Sequence, residues 1–191
     1  FVASVYFTFP MDLVKPRILE EANRQLNARK NPGAYGKPGT ITVDEVKPWR
    51  LSGVELRNVV ITDVTTNPDP APPWELDVVK VRVGILGLLR RQLDIHFDVD
   101  AYGGNATGDV LIAGEKFDQL KRVEARAAGI QWSRIAAVQQ ALKVPGEGAL
   151  GGEVKLNIGK DVKEWAGDIR VSGEGLAVGP GEVAVPMFGS L

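Results

Sequence analysis

The sequence predicts a mainly β fold with a few short helices (α+β). It reads as a curved, mostly antiparallel sheet forming a groove or partly open barrel, with an N-terminal helix packed at one end. Three observations predict it. From residue 40 onward, apolar and polar residues alternate with a period of two. The chain's 22 Gly and 12 Pro interrupt that alternation at short intervals, which favours turns over long helices. Each alternating segment has one dry face, and a row of such strands must close on itself or fold over to cover it. The size fits, since 191 residues at 44% hydrophobic and 25% charged suffice for one domain with a real core.

The opening FVASVYFTFP is apolar up to Pro10. It is too short to cross a bilayer, which takes about 20 apolar residues. Residues 1–10 are therefore expected to be the trailing end of an N-terminal membrane anchor, with a buried first strand as the alternative. Residues 11–191 are expected to form a single β-rich domain. Because the chain stops at MFGSL inside an apolar stretch, that domain is expected to lack its C-terminal part.

After Pro10, MDLVKPRILEEANRQLNARK predicts a helix. Asp12 suits the N-cap, and Pro16 falls within the first turn or so, where a missing N–H costs least. Val14, Ile18, Ala22, Gln25 and Leu26 lie close to one stripe, with Glu20, Arg24 and Lys30 elsewhere. NPGAYGKPG ends the helix. Eight strands follow, in TITVDEVKPW, LSGVELRNVVITDV, WELDVVKVRV, QLDIHFDVDAYGG, ATGDVLIAG, RVEARAAG, GGEVKLNI and GDIRVSGEGLAV. VTTNPDPAPPW is a stiff proline-rich loop between the second and third.

Two short helices interrupt the strands. GILGLLRRQ carries four large aliphatics and then two arginines, which suits a cap on an open end of the sheet or an amphipathic contact. QWSRIAAVQQALKVPG places Trp132, Ile135, Ala136, Val138 or Gln139, and Leu142 on one broad face before Pro145 and Gly146 stop it. Strand, helix and Gly-marked hairpin thus occur twice, a weak internal duplication.

Composition narrows the function. Lys plus Arg (23) nearly balance Asp plus Glu (24), so no nucleic-acid partner is indicated. The absence of cysteine removes disulfide frameworks, thiolate metal sites and cysteine nucleophiles. The only histidine, His96, lies in LDIHFDVDAYGG with Asp94, Asp98 and Asp100 at every second position. Such a row could hold a hard cation, but a closed site needs three or four converging ligands and no second histidine exists. The wet face of a one-sided strand demands the same spacing and is the preferred reading. No G-x-S-x-G elbow accompanies His96, and AYGGNATGD lacks the phosphate-binding glycine patterns. A tight hairpin at Gly103-Gly104-Asn105 accounts for it. No catalytic, metal or cofactor site is assigned.

The order of segments is informative. An apolar start ending in FTFPMDLVKPRILEEAN is followed by GVELRNVVITD, a strand, VGILGLLRRQLDIHFDVDAYGGNATGDV and later LGGEVKLNI. This order resembles the type II secretion system protein N family and, more distantly, the AsmA-like proteins, which share the anchor, helix and groove-forming strands. The resemblance covers most of the chain and rests on pattern and order, with no catalytic motif.

It implies a single-pass inner-membrane protein with a periplasmic domain, serving as a non-enzymatic accessory of the machine that exports folded proteins. The implied partners are the secretin and the inner-membrane platform, together with the membrane through the anchor. The expected function is a scaffold or interaction domain. The alternative is an AsmA-like module whose apolar groove binds or transfers a lipid or acyl chain. The groove would be lined by Leu93, Ile95, Phe97, Val99, Val110, Ile112, Val154, Leu156 and Ile158.

Overall fold

A computed structural model describes residues 11–28, 36–65, 72–88, 90–114, 117, 119–142, 146–159, 164–179, 184–185 and 189–190. The anchor expected at residues 1–10 lies outside them. Helix α1 (Met11–Ala28) precedes eight strands: β1 (Thr40–Trp49), β2 (Gly53–Thr62), β3 (Trp74–Val83), β4 (Gln92–Ala101), β5 (Gly104–Ala113), β6 (Gln119–Gln131), β7 (Gly146–Asn157) and β8 (Ala166–Val178). All eight form one antiparallel sheet in simple sequence order, β1 to β8. The sheet is open, because β1 and β8 do not pair. A separate two-stranded ribbon joins β9 (Ala184–Val185) to β10 (Gly189–Ser190). No helix among the described residues is long and apolar enough to cross a membrane.

The predicted strand count therefore agrees with the main sheet, and the mainly antiparallel β class holds. The connections differ in detail. The β4–β5 hairpin turns on Tyr102 and Gly103, both at positive φ (53° and 77°), with Ala101 opposite Gly104. Two central residues of that hand make a type I′ turn. The expected turn at Gly103-Gly104-Asn105 is thus displaced, since Gly104 and Asn105 already belong to the β5 ladder.

The two short helices follow β3 and β6, as α2 (Ile85–Leu88) and as a 3₁₀ turn (Trp132–Arg134) leading into α3 (Ala136–Leu142). They lie at opposite ends of the sheet, because β3 and β6 are three antiparallel strands apart and run in opposite directions. Trp132 is buried: its ring packs where a side chain on Gly146 would stand, and its Nε1 donates to the Glu147 carbonyl at 2.7 Å.

Helix α1 starts at Met11 and contains Pro16, which therefore lies beyond the first turn. The face toward β1 keeps most of the expected stripe, with Ile18, Ala22 and Leu26 half-buried and Leu26 against Gly39, but it adds Leu19 and loses Gln25. Leu19 packs against the core, while Gln25 is exposed and donates to Glu21. Asn23 and Asn27, one turn apart, reach the backbone beside β1. Asn23 Nδ2 donates to the Ile41 carbonyl at 3.2 Å, and the Ile41 N–H donates to Asn23 Oδ1 at 2.6 Å. Asn27 repeats the exchange with Gly39, at 2.9 and 2.8 Å.

The best-buried cluster gathers Val43, Val46 and Val59, with Leu19, Ile41, Leu56, Ile61, Leu76 and Val79 packed around it. Strict alternation would send Val43 and Val46 to opposite faces. Instead both are buried, and Asp44 and Glu45 between them are both exposed. The phase slips where Asn58 on β2 takes a left-handed φ of 50° and donates from its amide to Asp44 Oδ2. Asparagine tolerates that conformation better than most residues.

Candidate functional site

Strand register converts the sequence alternation into rows that cross most or all of the sheet. One face carries the row Val46–Leu56–Val79–Val99–Ala106–Ala127–Gly152–Val171. Beside it runs Pro48–Val54–Val81–Phe97–Gly108–Ala125–Val154–Ile169, then Val83–Ile95–Val110–Val123–Leu156–Gly167. No charged or hydroxyl side chain enters any of the three. Helix α1 covers the β1 end of the first row, where Leu19 packs on the cluster that includes Val46, Leu56 and Val79, and among the described residues no core cluster covers the rows from β4 to β8. The sheet therefore presents a continuous apolar surface, and apolar area left in water costs about 25 cal/mol per Å².

Leu93, Ile95, Phe97 and Val99 stand opposite Ile112, Val110, Gly108 and Ala106. Val154 and Leu156 join the same rows from β7. Ile158 lies just past β7, where its N–H donates to the Lys121 carbonyl at 2.8 Å. Each of the residues predicted from sequence is half-buried, so none is sealed in a core. Toward β8 exposure rises, to 66% at Ile169 and 80% at Val171.

Small residues shape this surface. An added Cβ at Gly108 would stand 2.5 Å from Phe97 Cζ, so the Phe97 ring lies across that glycine. Farther along, Ala106, Ala125, Ala127 and Gly152 border a hollow of about 280 Å³, with Ile130, Leu150, Val154, Ile169 and Val171. Of the predicted residues only Val154 reaches this hollow. The others were missed because large aliphatics mark a dry face more plainly than alanine and glycine do. The usable signal was RVEARAAG, in which alanine holds the apolar phase.

The opposite face is charged, and along one of its rows the signs are ordered. The row Lys47–Glu55–Lys80–Asp98–Thr107–Arg126–Glu153–Arg170 alternates in sign except at Thr107. Directly opposed cross-strand ions contribute roughly 0.2–1 kcal/mol each, and like charges there are destabilising. Lys155 Nζ lies 2.7 Å from Glu153 Oε1 on the same strand. That hydrogen bond and the lysine charge hold the Glu153 carboxyl below the usual range, with Arg170 and Arg126 adding to the effect.

His96 belongs to the next row, Trp49–Gly53–Arg82–His96–Asp109–Glu124–Lys155–Asp168. Its Nδ1 is 3.0 Å from Asp109 Oδ1 on β5. The Trp49 ring stacks on the imidazole, 6.2 Å between centroids and 20° between planes, and the Arg50 guanidinium lies 5.1 Å from the indole centroid. Asp98 and Asp100 share the Asn105 amide, at 2.8 and 2.7 Å.

Asp98 and Asp100 thus share one amide, and His96 is bonded across to Asp109. Among the described residues no group of three His, Asp or Glu side chains converges as a metal site would require. Nor does a hydroxyl hydrogen-bond to the His96 ring, as a nucleophile–base pair requires. In this arrangement His96 fastens β4 to β5 and supports Trp49.

No protein-family model, curated protein or solved structure matches the chain.

Proposed function

We propose that this chain is a non-enzymatic accessory module of the bacterial cell envelope that works as an interaction scaffold through its apolar sheet face. This is the role implied by its resemblance to the type II secretion system protein N family. On this reading the sheet curves into a groove facing the periplasm, helix α1 closes the β1 end, and an N-terminal anchor holds the module at the inner membrane. The observation that carries the proposal is the sheet itself: two uncharged rows cross all eight strands, a third crosses β3 to β8, and among the described residues only helix α1 at the β1 end packs on them. A face of that extent is kept apolar against selection for solubility only where something binds it.

The partners fitting the proposal are the secretin and the inner-membrane platform. Crosslinking in living cells, followed by identification of the adducts, tests this. Recovery of secretin or platform proteins is expected, and recovery of neither would sink the scaffold role.

A second reading is favoured by the hollow beside Gly152. Its lining is mainly alanine, glycine, valine, leucine and isoleucine, with Arg126, Glu153 and Arg170 also bordering it, and suits an acyl chain better than a peptide, which needs partners for its amides. On that reading the module binds or transfers a lipid. Native mass spectrometry of protein taken from cells should then show a retained lipid mass, and a bare chain would exclude it.

A further inference from the structure

The two ends of the sheet treat their large apolar side chains differently. Because neighbouring strands are antiparallel throughout, the connections β1–β2, β3–β4, β5–β6 and β7–β8 all lie at one end. Each of the four exposes a large apolar residue: Leu51, then Ile85 with Leu86, then Phe117, then Trp165. In the connections at the other end Val64, Trp132 and Ile135 are buried, although Trp74 at the start of β3 is exposed.

The first two of these connections form one corner. They are neighbours in the sheet, about 10 Å apart at two strand spacings. They are also bonded to each other: Ser52 Oγ donates to the Val83 carbonyl at 2.5 Å, and the Val83 N–H donates to the Ser52 carbonyl at 3.2 Å. Arg50 stands beside Leu51, and Arg90 and Arg91 follow α2, all three exposed. Residues 50–52 and 84–91 include no Asp or Glu. The corner therefore combines projecting leucine and isoleucine with a one-signed ring of guanidinium groups.

We infer that this corner seats on an anionic lipid surface. Leu51, Ile85 and Leu86 enter the boundary of the acyl chains, while Arg50, Arg90 and Arg91 bond lipid phosphates at headgroup level. Trp165, at the same end, suits the interface, where an indole keeps its N–H in the wet layer. Leu51 and Leu86 are 77% and 80% exposed, so they do not pack on one another. A protein partner would need a separate pocket for each, whereas a bilayer receives separate tips alike. Helix α1 runs antiparallel to β1, since Asn27 bonds Gly39 and Asn23 bonds Ile41. It thus starts toward this same end, the end that the anchor proposed above would hold at the membrane. The lipid contact follows from the corner alone and needs neither that anchor nor the role proposed for the apolar face.

The chain has no cysteine, so one introduced thiol carries a fluorophore at a known place. The probe is nitrobenzoxadiazole, and the membrane is phosphatidylcholine vesicles containing one-third phosphatidylglycerol. A label at Leu51→Cys or Leu86→Cys should brighten and shift to the blue on these vesicles. A label at Ser133→Cys, exposed at the other end, should not change. In vesicle flotation, Arg50→Gln and Arg90→Gln should each weaken binding about fivefold. Leu86→Asp should weaken it about tenfold or more. All are exchanges at exposed positions, and circular dichroism checks that the sheet is kept. Labels unchanged at both leucines, equal responses at all three sites, or binding indifferent to the arginine exchanges would each overturn the lipid contact. So would leucine-site labels that respond to a membrane-protein extract and not to vesicles, which would assign the corner to a protein instead. Since the vesicles hold no protein, the lipid contact and the scaffold role fail separately.

Discussion

Asn23 and Ile41 exchange two hydrogen bonds, side-chain amide against backbone amide, at 3.2 and 2.6 Å. The asparagine presents one donor and one acceptor on a planar group, the same pair that a neighbouring strand would offer. With Asn27 doing the same for Gly39 one turn away, helix α1 satisfies backbone groups that an edge otherwise leaves to solvent or to another chain. Replacing Asn23 by Ala should lower stability by about 1–3 kcal/mol, because it strands a half-buried N–H and C=O. Urea unfolding measures it. The Asn23/Asn27 double replacement should in addition aggregate at concentrations where the native chain stays in solution.

Phe97 and Gly108 face each other across β4 and β5, and the ring occupies the volume a side chain would need. Gly108→Ala should destabilise the sheet by about 1–3 kcal/mol, since the new methyl would also lie against the Glu124 carbonyl. Combining it with Phe97→Leu should give back part of the loss by removing the ring, though not the contact with the carbonyl. Thermal or urea unfolding of the single and double variants reads this coupling.

Glu153 supplies the pH dependence. Lys155, with help from Arg170 and Arg126, holds its carboxyl below the usual glutamate range. A group whose folded value is depressed adds stability above its unfolded value, and the contribution disappears as pH falls through the folded value. Carboxyl-detected NMR should place the Glu153 midpoint below that of an unstructured glutamate. Lys155→Met should move it back upward, and an unmoved midpoint would show that the lysine is not the cause.

His96→Ala removes the bond to Asp109 and the surface on which Trp49 stacks. The expected result is a change in tryptophan emission and a stability loss below about 1.5 kcal/mol, with function in cells retained. Loss of function in a variant that keeps its fold would move His96 from a fastening role to a chemical one.

Much of the architecture was legible in the residues because a two-residue period has one physical cause, a strand with one dry face. That is why LDIHFDVDA read correctly as a strand, and why Leu93, Ile95, Phe97 and Val99 fall on one face. What the period cannot carry is phase and partner. The slip at Asp44 and Glu45 depends on Asn58 in the next strand, the hairpin at Tyr102 depends on which residue takes positive φ, and α1 turns Asn23 toward the sheet because Ile41 offers it two bonds. The alternating charge row is likewise invisible until register sets Glu153 beside Arg126 and Arg170. Ala106, Ala125 and Gly152 were passed over because a small residue signals neither face by itself.

The central claim is that the apolar face is the working surface. Its most direct measurement is site-specific photo-crosslinking in cells, with the reactive side chain placed at Val154 or Leu156 on the apolar face and at Lys155 between them on the charged face. The account predicts adducts to another cellular component, protein or lipid, from Val154 and Leu156 and a much weaker yield from Lys155. Equal yields from all three positions, or adducts from Lys155 alone, would contradict it.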